Sequence, residues 1–458
     1  MHPLKRRLAL LAVGLLALLA LPASAFATSS AEQIATATKE GVKYLKTLQI
    51  ENGNIPAFGG DWSLTSFAAA GTAAADLHYE SKAANPSARA FYKSEYGSAS
   101  WPGGASPAVT EFERAALVSY AAGIDPARVS TQQNLLARIV AQYQGSGYYG
   151  STFNGTVFAV LALADSKTQG GIERFPQTLL NQSITAIKAN QHTDGGWTWE
   201  KAAGSETALK KPSEPDLTGA AMAALCGAGV ANTNTTIVKA KEYLVGLLES
   251  STGAFASEFG VNTDSNAWAV QGLNACGISP QGTEFTTAAG KTPIDFLRSQ
   301  QLASGAFKYQ PSETSANQYS SQDAVRALAG GGFTAAPPTP ESGEKWLAAT
   351  EWESGVAAPL ALVVEYGGTL KACSVSITPS GTTVTLAKVL ETAVAGTTPS
   401  GCVTSFLPAS GTGAITQING YPEPSSAKWT ISIDGGTAAQ AKRNTTVHLG
   451  DTVYLDAE

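Results

Sequence analysis

A short motif returns along this chain at intervals of about fifty residues, and that recurrence constrains the fold more than any other feature. Gln191 to Trp197 reads Q-x-x-x-G-x-W, Gln301 to Phe307 reads Q-x-x-x-G-x-F, and Glu249 to Phe255 reads E-x-x-x-G-x-F. Gln49 to Ile55 is a weaker copy, and Tyr148-Tyr149 after Gln142 and Gln144 a degenerate one. The glycines at 195, 253 and 305 lie 58 and 52 residues apart. A period near fifty means stacked supersecondary units, each too small to bury its apolar face alone.

Each motif copy follows one helical pattern and precedes another. Val238–Leu248 and Pro293–Gln301 carry apolar residues at helical spacing. After the turn come small-residue segments that align with one another: Asn154–Leu163, Asp216–Leu225, Asp264–Leu273 and Tyr319–Leu328. Alanine and glycine dominate these second helices, which suits the crowded inner layer of a ring. Asn154, Asp216, Thr218 and Ser265 stand where N-caps are expected. The pattern predicts helical hairpins closed into an α/α toroid over 28–368. The Pro-rich Ala335 to Pro340 reads as a loop within it, and Trp346 to Tyr366 as a last helical stretch.

From Ser374 the pattern alternates with period two, as in Val375-Ser-Ile-Thr and Thr430 to Ile433, and Asn419-Gly420 and Asp434-Gly435 are turn dipeptides. Residues 373–458 are expected to form a small β domain with one helix at Val384–Val394, joined at Gly367-Gly368. The fold class is α plus β in two domains.

The N terminus reads as a secretory signal peptide, residues 1–27: Lys5-Arg6-Arg7, then apolar Leu8–Leu21, then small-x-small cleavage sites at Ala23-Ser24-Ala25 and Ala25-Phe26-Ala27. Its loss takes the formal charge from -6 to -9. An acidic chain with no basic run points away from nucleic acid, and no later apolar stretch is long enough to span a membrane. An exported protein is expected, with a cell-surface receptor or cell-wall component among its conceivable partners. Export permits disulfides. Cys373 and Cys402 share the β domain and are paired; Cys226 and Cys276 end successive inner helices, where a bridge and two buried thiols both remain open.

The Q-x-x-x-G-x-W copies resemble those of terpene cyclases and protein prenyltransferases, which implies the toroid over most of 31–366. Asp216-Leu-Thr-Gly-Ala-Ala-Met-Ala-Ala-Leu-Cys226 resembles the inner helices of transcobalamin and intrinsic factor. Ile418-Asn419-Gly420, Trp429 to Gly435 and Leu449 to Val453 resemble the C-terminal module of the same carriers. This second resemblance implies a small-molecule ligand, cobalamin or another corrinoid, with no cofactor. It would be held between toroid rim and β module by Asn154, Asp216, Asp264, Gln318 and Tyr319, with Tyr421 and Trp429 closing over it. For Asp216 and Asp264 the rival reading is a helix cap, and for Trp429 a core residue.

Catalytic motifs are missing. Neither D-x-D-D nor D-D-x-x-D occurs, His78, His192 and His448 lack zinc-ligand spacing to Cys or Asp, and no Gly-Cys-Gly-Glu-Gln thioester is present. The expectation is a non-catalytic ligand-binding protein. The alternatives are a terpenoid cyclase/prenyltransferase-like enzyme, which would need an acid cluster in the toroid cavity that the sequence does not supply, a polysaccharide-acting enzyme using Tyr, Asn, His and Arg, and a surface adhesion or structural module.

Overall fold

The computed structural model describes residues 28–57, 59–104, 106–201, 211–258, 260–396, 401–408, 413–422 and 428–457; the signal-peptide segment lies outside them. Among these residues twelve helices pair into six hairpins. The outer members are α1 (Ala31–Thr47), α3 (Ala88–Gly97), α5 (Leu135–Val140), α7 (Gln177–Ala189), α9 (Thr235–Gly246) and α11 (Pro293–Ser299). The inner members are α2 (Ser63–Ala69), α4 (Val109–Ala122), α6 (Phe153–Thr168), α8 (Pro215–Gly227), α10 (Thr263–Ala275) and α12 (Gln318–Leu328). Each inner helix touches the next, and α12 returns to α2, so the ring closes. The toroid inferred from the repeat is the observed fold.

Local chemistry sets the helix ends. Ser30 caps α1 with a reciprocal bond from Gln33, and Thr292 with Asp295 makes the same capping box on α11, where Pro293 takes the first turn. Small residues set the inner spacing. A Cβ added to Gly219 of α8 would lie 2.2 Å from the Trp268 carbonyl oxygen, and one on Gly272 of α10 would lie 2.3 Å from the Gly219 carbonyl oxygen. The two backbones therefore touch. The same helices are joined beyond this crossing by a Cys226–Cys276 disulfide, with Cα atoms 5.3 Å apart.

The motif turns fasten each hairpin to the next. Gln191 Nε2 donates to the Gly195 carbonyl within its own turn and to the Thr236 carbonyl of α9, both at 2.8 Å. Gln301 does the same to Gly305 and to Ala37 of α1, which ties the last hairpin to the first. Gly195 and Gly305 have φ of 95° and 86°, and a Cβ on either would strike a carbonyl of the following outer helix at 2.3 Å. The aromatic that ends each turn is fully buried, and its backbone N–H donates to the fourth residue of the next inner helix. Tyr149, Trp197, Phe255 and Phe307 use Thr156, Thr218, Asn266 and Ser321 in this way. Thr218 is thus a turn anchor and not a cap.

The helix expected to reach Tyr366 is not there. Residues Ala358–Tyr366 form β1, which pairs antiparallel with β2 (Thr369–Ile377) and parallel with β9 (Thr452–Ala457). Gly367 and Gly368, at φ of 52° and 76°, turn this hairpin and do not join the domains. The segment misled because β1 is covered on both faces. Ala361 and Val363 pack into the toroid's core while Leu360, Leu362 and Val364 pack into the module's own, so the alternation that marks a one-sided strand is lost.

The intervening strands are β3 (Val384–Thr385), β4 (Phe406–Pro408), β5 (Ile415–Ile418), β6 (Trp429–Ile433), β7 (Ala439–Gln440) and β8 (Thr446–Val447). The main sheet runs β2-β1-β9-β6-β7, and α13 (Leu386–Ala395) packs on β2. A Cys373–Cys402 disulfide closes the module as its composition suggested. No helix among the described residues is long and apolar enough to cross a membrane.

Where the module docks matters for function. Arg174, just beyond the C-terminal end of α6 and 5% exposed, bonds Asp434 at 2.6 Å and the Gly450 carbonyl at 2.9 Å, and meets Asp125 at 3.3 Å. Leu347 bridges Ile124, and β1 and β2 lie on α5. These anchors sit at the C-terminal ends of the inner helices and on the outer wall. The N-terminal ends of the inner helices, on the opposite face, are left uncovered by them.

Candidate functional site

The second residues of α8, α10 and α12 are Asp216, Asp264 and Tyr319, and all three line one cavity of about 360 Å³ at the toroid mouth. None is the cap of its helix. Asn262 caps α10 by accepting from the Ser265 N–H at 2.8 Å, Asn317 caps α12 in the same way, and Glu214 precedes α8. The cap reading of the two aspartates is therefore corrected: each lies two positions further in, where its side chain is turned toward the ring's axis.

Asp323 of α12 completes a cluster of three carboxylates from three successive inner helices. It is nearly buried, ion-paired with Arg326 and hydrogen-bonded by Trp268 Nε1 at 2.9 Å. Arg326, 1% exposed, also donates to Thr65 at 2.8 Å, and its guanidinium lies 4.9 Å from the centre of the Trp62 ring. The expectation that the chain supplies no acid cluster is overturned. The acids are about fifty residues apart in sequence, and ring closure brings them together.

Their environment sets their protonation. Burial, reinforced by the Asp323 charge, pushes Asp264 up to about 7, against the hydroxyl that Ser320 donates to it. Burial raises Asp216 as well, although the Leu217 N–H donates to it at 2.7 Å. Burial and the Asp216 charge push Glu214 up to about 7. Near neutrality the mouth thus holds carboxylic acids that keep protons ordinary aspartates would release.

The wall below is aromatic. Trp62 and Trp268 line the cavity, and behind them Trp268, Phe333 and Phe158 meet edge to face at 4.9–5.8 Å. Tyr309 and Tyr319 stand at the entrance. Chemically, one cavity brings together a carboxyl that burial pushes up to about 7 and two indole rings. Among the described residues no cluster of His, Cys, Asp and Glu could hold a metal ion.

Of the other residues implied by resemblance, Asn154 opens α6 and Gln318 opens α12 at the same rim, but neither lines the cavity. Tyr421 and Trp429 do not reach it. Trp429 is fully buried in the module's core, its indole N–H donating to the Tyr421 carbonyl at 3.2 Å, and Tyr421 stacks on Tyr366. The core reading of Trp429 holds. With the module anchored to the other ends of the inner helices, the two rings cannot close over the mouth. Sequence reasoning missed Trp62, Arg114, Trp268, Asp323 and Arg326. A charged Asp323 and Arg326 within an aligned small-residue helix was the available signal.

No protein-family model matches the sequence, and no curated protein matches it. Among solved structures, the type II terpene cyclase MstE from Scytonema is similar over 66% of this chain and 98% of its own, at 13% identity and a TM-score of 0.45. A protein from Actinoplanes covers 65% and 98% at 13% identity and 0.43. The protein geranylgeranyltransferase-I of Candida albicans covers 66% and 86% at 14% identity and 0.37.

Proposed function

We propose that this protein is a terpenoid cyclase-like enzyme that takes an apolar, unsaturated ligand into the toroid mouth and protonates it from Asp264. One arrangement carries the reading: Asp264, which burial pushes up to about 7, lines the same cavity as the indoles of Trp62 and Trp268. The O–H bond of Asp264 breaks as a C–H bond forms on the alkene, and the positive charge passes to the adjacent carbon. Ring faces stabilise that charge through their quadrupoles, and ring closure followed by loss of a proton returns the balance. Ser320 orients the acid by donating to one oxygen, which leaves the proton on the other. Asp323 is less suited to the acid's role: burial raises it, but its pairing with Arg326 pulls it back down.

The test is incubation of the purified protein with linear polyprenols, followed by mass-resolved chromatography for isomers of unchanged mass. Asp264→Asn should abolish conversion and keep the fold. Binding without conversion in the unsubstituted protein would remove the enzymatic reading.

A second reading, non-catalytic binding of a polar-edged ligand such as a corrinoid, is favoured by one feature. Asn154 Oδ1 and Gln318 Nε2, both at the rim, have no hydrogen-bond partner among the described residues, and ligand amides would satisfy them. Mixing with cobinamide and cobalamin and following the visible spectrum decides it; an unchanged spectrum and no co-elution would end it. Export as a soluble protein is part of either reading, and the two disulfides support a non-cytosolic compartment.

A further inference from the structure

A second cavity of about 500 Å³ adjoins the mouth, and Gly59 and Arg114 line both. Arg114 reaches from α4 to Asp61 at 3.0 Å and to Glu111 at 2.6 Å, so its side chain forms the partition between the two spaces. Gly59 is the other part of the wall. A Cβ there would already touch the Tyr319 ring at 3.5 Å and the Trp62 ring at 3.6 Å, so the missing side chain leaves a gap about one methyl group wide between the cavities.

The two cavities differ in chemistry. In the central one Asp323 is paired with Arg326, burial raises Asp216 and Asp264, and two indoles form part of the wall. The second is lined by three carboxylates, Asp61, Glu95 and Glu111, against the single Arg114 guanidinium, and by the rings of Tyr92, Tyr96 and Trp101. Tyr96 donates to Asp61 at 2.7 Å and packs at a tilt against Trp101, ring centres 4.9 Å apart. Arg114 is shared between Asp61 and Glu111, so three carboxylates against one guanidinium leave the pocket net negative, with Glu95 outside that pairing. Carboxylates beside aromatic faces attract an organic cation by direct charge and by the ring quadrupole. The same charges repel a phosphate or sulfate head.

We propose that the two cavities form one bipartite site, in which the apolar chain of the ligand lies in the mouth and an ammonium-type head lies among Glu95, Glu111 and Trp101. This rests on the reading of the mouth as a site for an apolar ligand, and it requires no turnover.

Calorimetric titration of the full exported chain with dodecyltrimethylammonium, dodecyl sulfate, dodecyl maltoside and tetramethylammonium, each below its aggregation threshold, tests it. The dodecyl ammonium should bind at least tenfold tighter than the sulfate or the maltoside. The Glu95→Gln/Glu111→Gln double variant should remove that preference. Tetramethylammonium should bind at least tenfold more weakly than its dodecyl counterpart. Equal or tighter binding of the sulfate or the maltoside overturns the cationic head. Equal affinity of the two ammonium ions overturns the joining of the cavities. Cyclase assays that fail while these preferences hold would sink the protonation reading alone.

Discussion

Asp264→Asn should stabilise the protein at alkaline pH and leave stability unchanged in acid, because the native fold works against ionisation of this group. An unfolded aspartate titrates near 3.8, whereas burial and Asp323 carry folded Asp264 up to about 7. Between those values the native chain binds a proton that the unfolded chain has released. Stability therefore falls as pH rises through this window, and the loss is complete above it. That difference between the folded and unfolded chain corresponds to on the order of 2–4 kcal/mol. Asparagine carries no charge to desolvate and keeps an oxygen to accept from Ser320. Urea unfolding at pH 4 and pH 8.5 reads the effect: the variant should match the parent at pH 4 and exceed it by that amount at pH 8.5. Asp323→Asn is the contrast. It leaves Arg326 buried without its counter-charge, so it should destabilise at pH 8.5 by about 3–5 kcal/mol. A pH-independent effect of Asp264→Asn, or destabilisation at pH 8.5, would refute the account of the mouth as a store of neutral acid.

Three further outcomes follow from the packing. Gly219→Ala should cost about 1–3 kcal/mol by overpacking against Trp268, whereas Gly246→Ala, exposed and with open space around it, should gain about 0.5–1 kcal/mol; denaturant midpoints separate them. Replacing Cys226 and Cys276 together by Ser opens a loop of 50 residues and should lower stability by about 4 kcal/mol, measured by thermal unfolding under non-reducing conditions. Arg174→Ala removes the counter-charge of Asp434 and Asp125, and should cost about 3–5 kcal/mol and expose the junction to limited proteolysis; a protected junction would show that the strands on α5 hold the module alone.

The ring was legible because its signals are local. A glutamine, a glycine at positive φ and an aromatic within seven residues are enough to specify one turn, and repetition specifies the rest. The strand at Ala358–Tyr366 was not legible, since burial on both faces erases its period. The site was half legible. Asp216 and Asp264 stand out as charges at aligned positions in small-residue helices. Trp62 and Arg114 belong to the two least regular hairpins, and no alignment with the motif copies points to them. The direction in which the module docks leaves no periodic trace, because it depends on a few side chains such as Arg174 and Asp434 that are 260 residues apart.

The repeat separates the residues that make the fold from those that make the site. In α6, α8, α10 and α12 the fourth position is Thr156, Thr218, Asn266 or Ser321, always a small acceptor, because it must receive the N–H of a buried turn aromatic. The second position is Asn154, Asp216, Asp264 or Tyr319, and nothing in the turn requires any one of these. Three of those four side chains line the mouth. A search for a compact acidic motif fails on such an architecture, because α8, α10 and α12 contribute one carboxylate each and the cluster exists only after the ring has closed. Asp323 follows the same logic one turn deeper on α12, where it meets the Trp268 indole of α10. The acid cluster is therefore a property of the closed ring, and it is removable at the second positions without loosening a single turn.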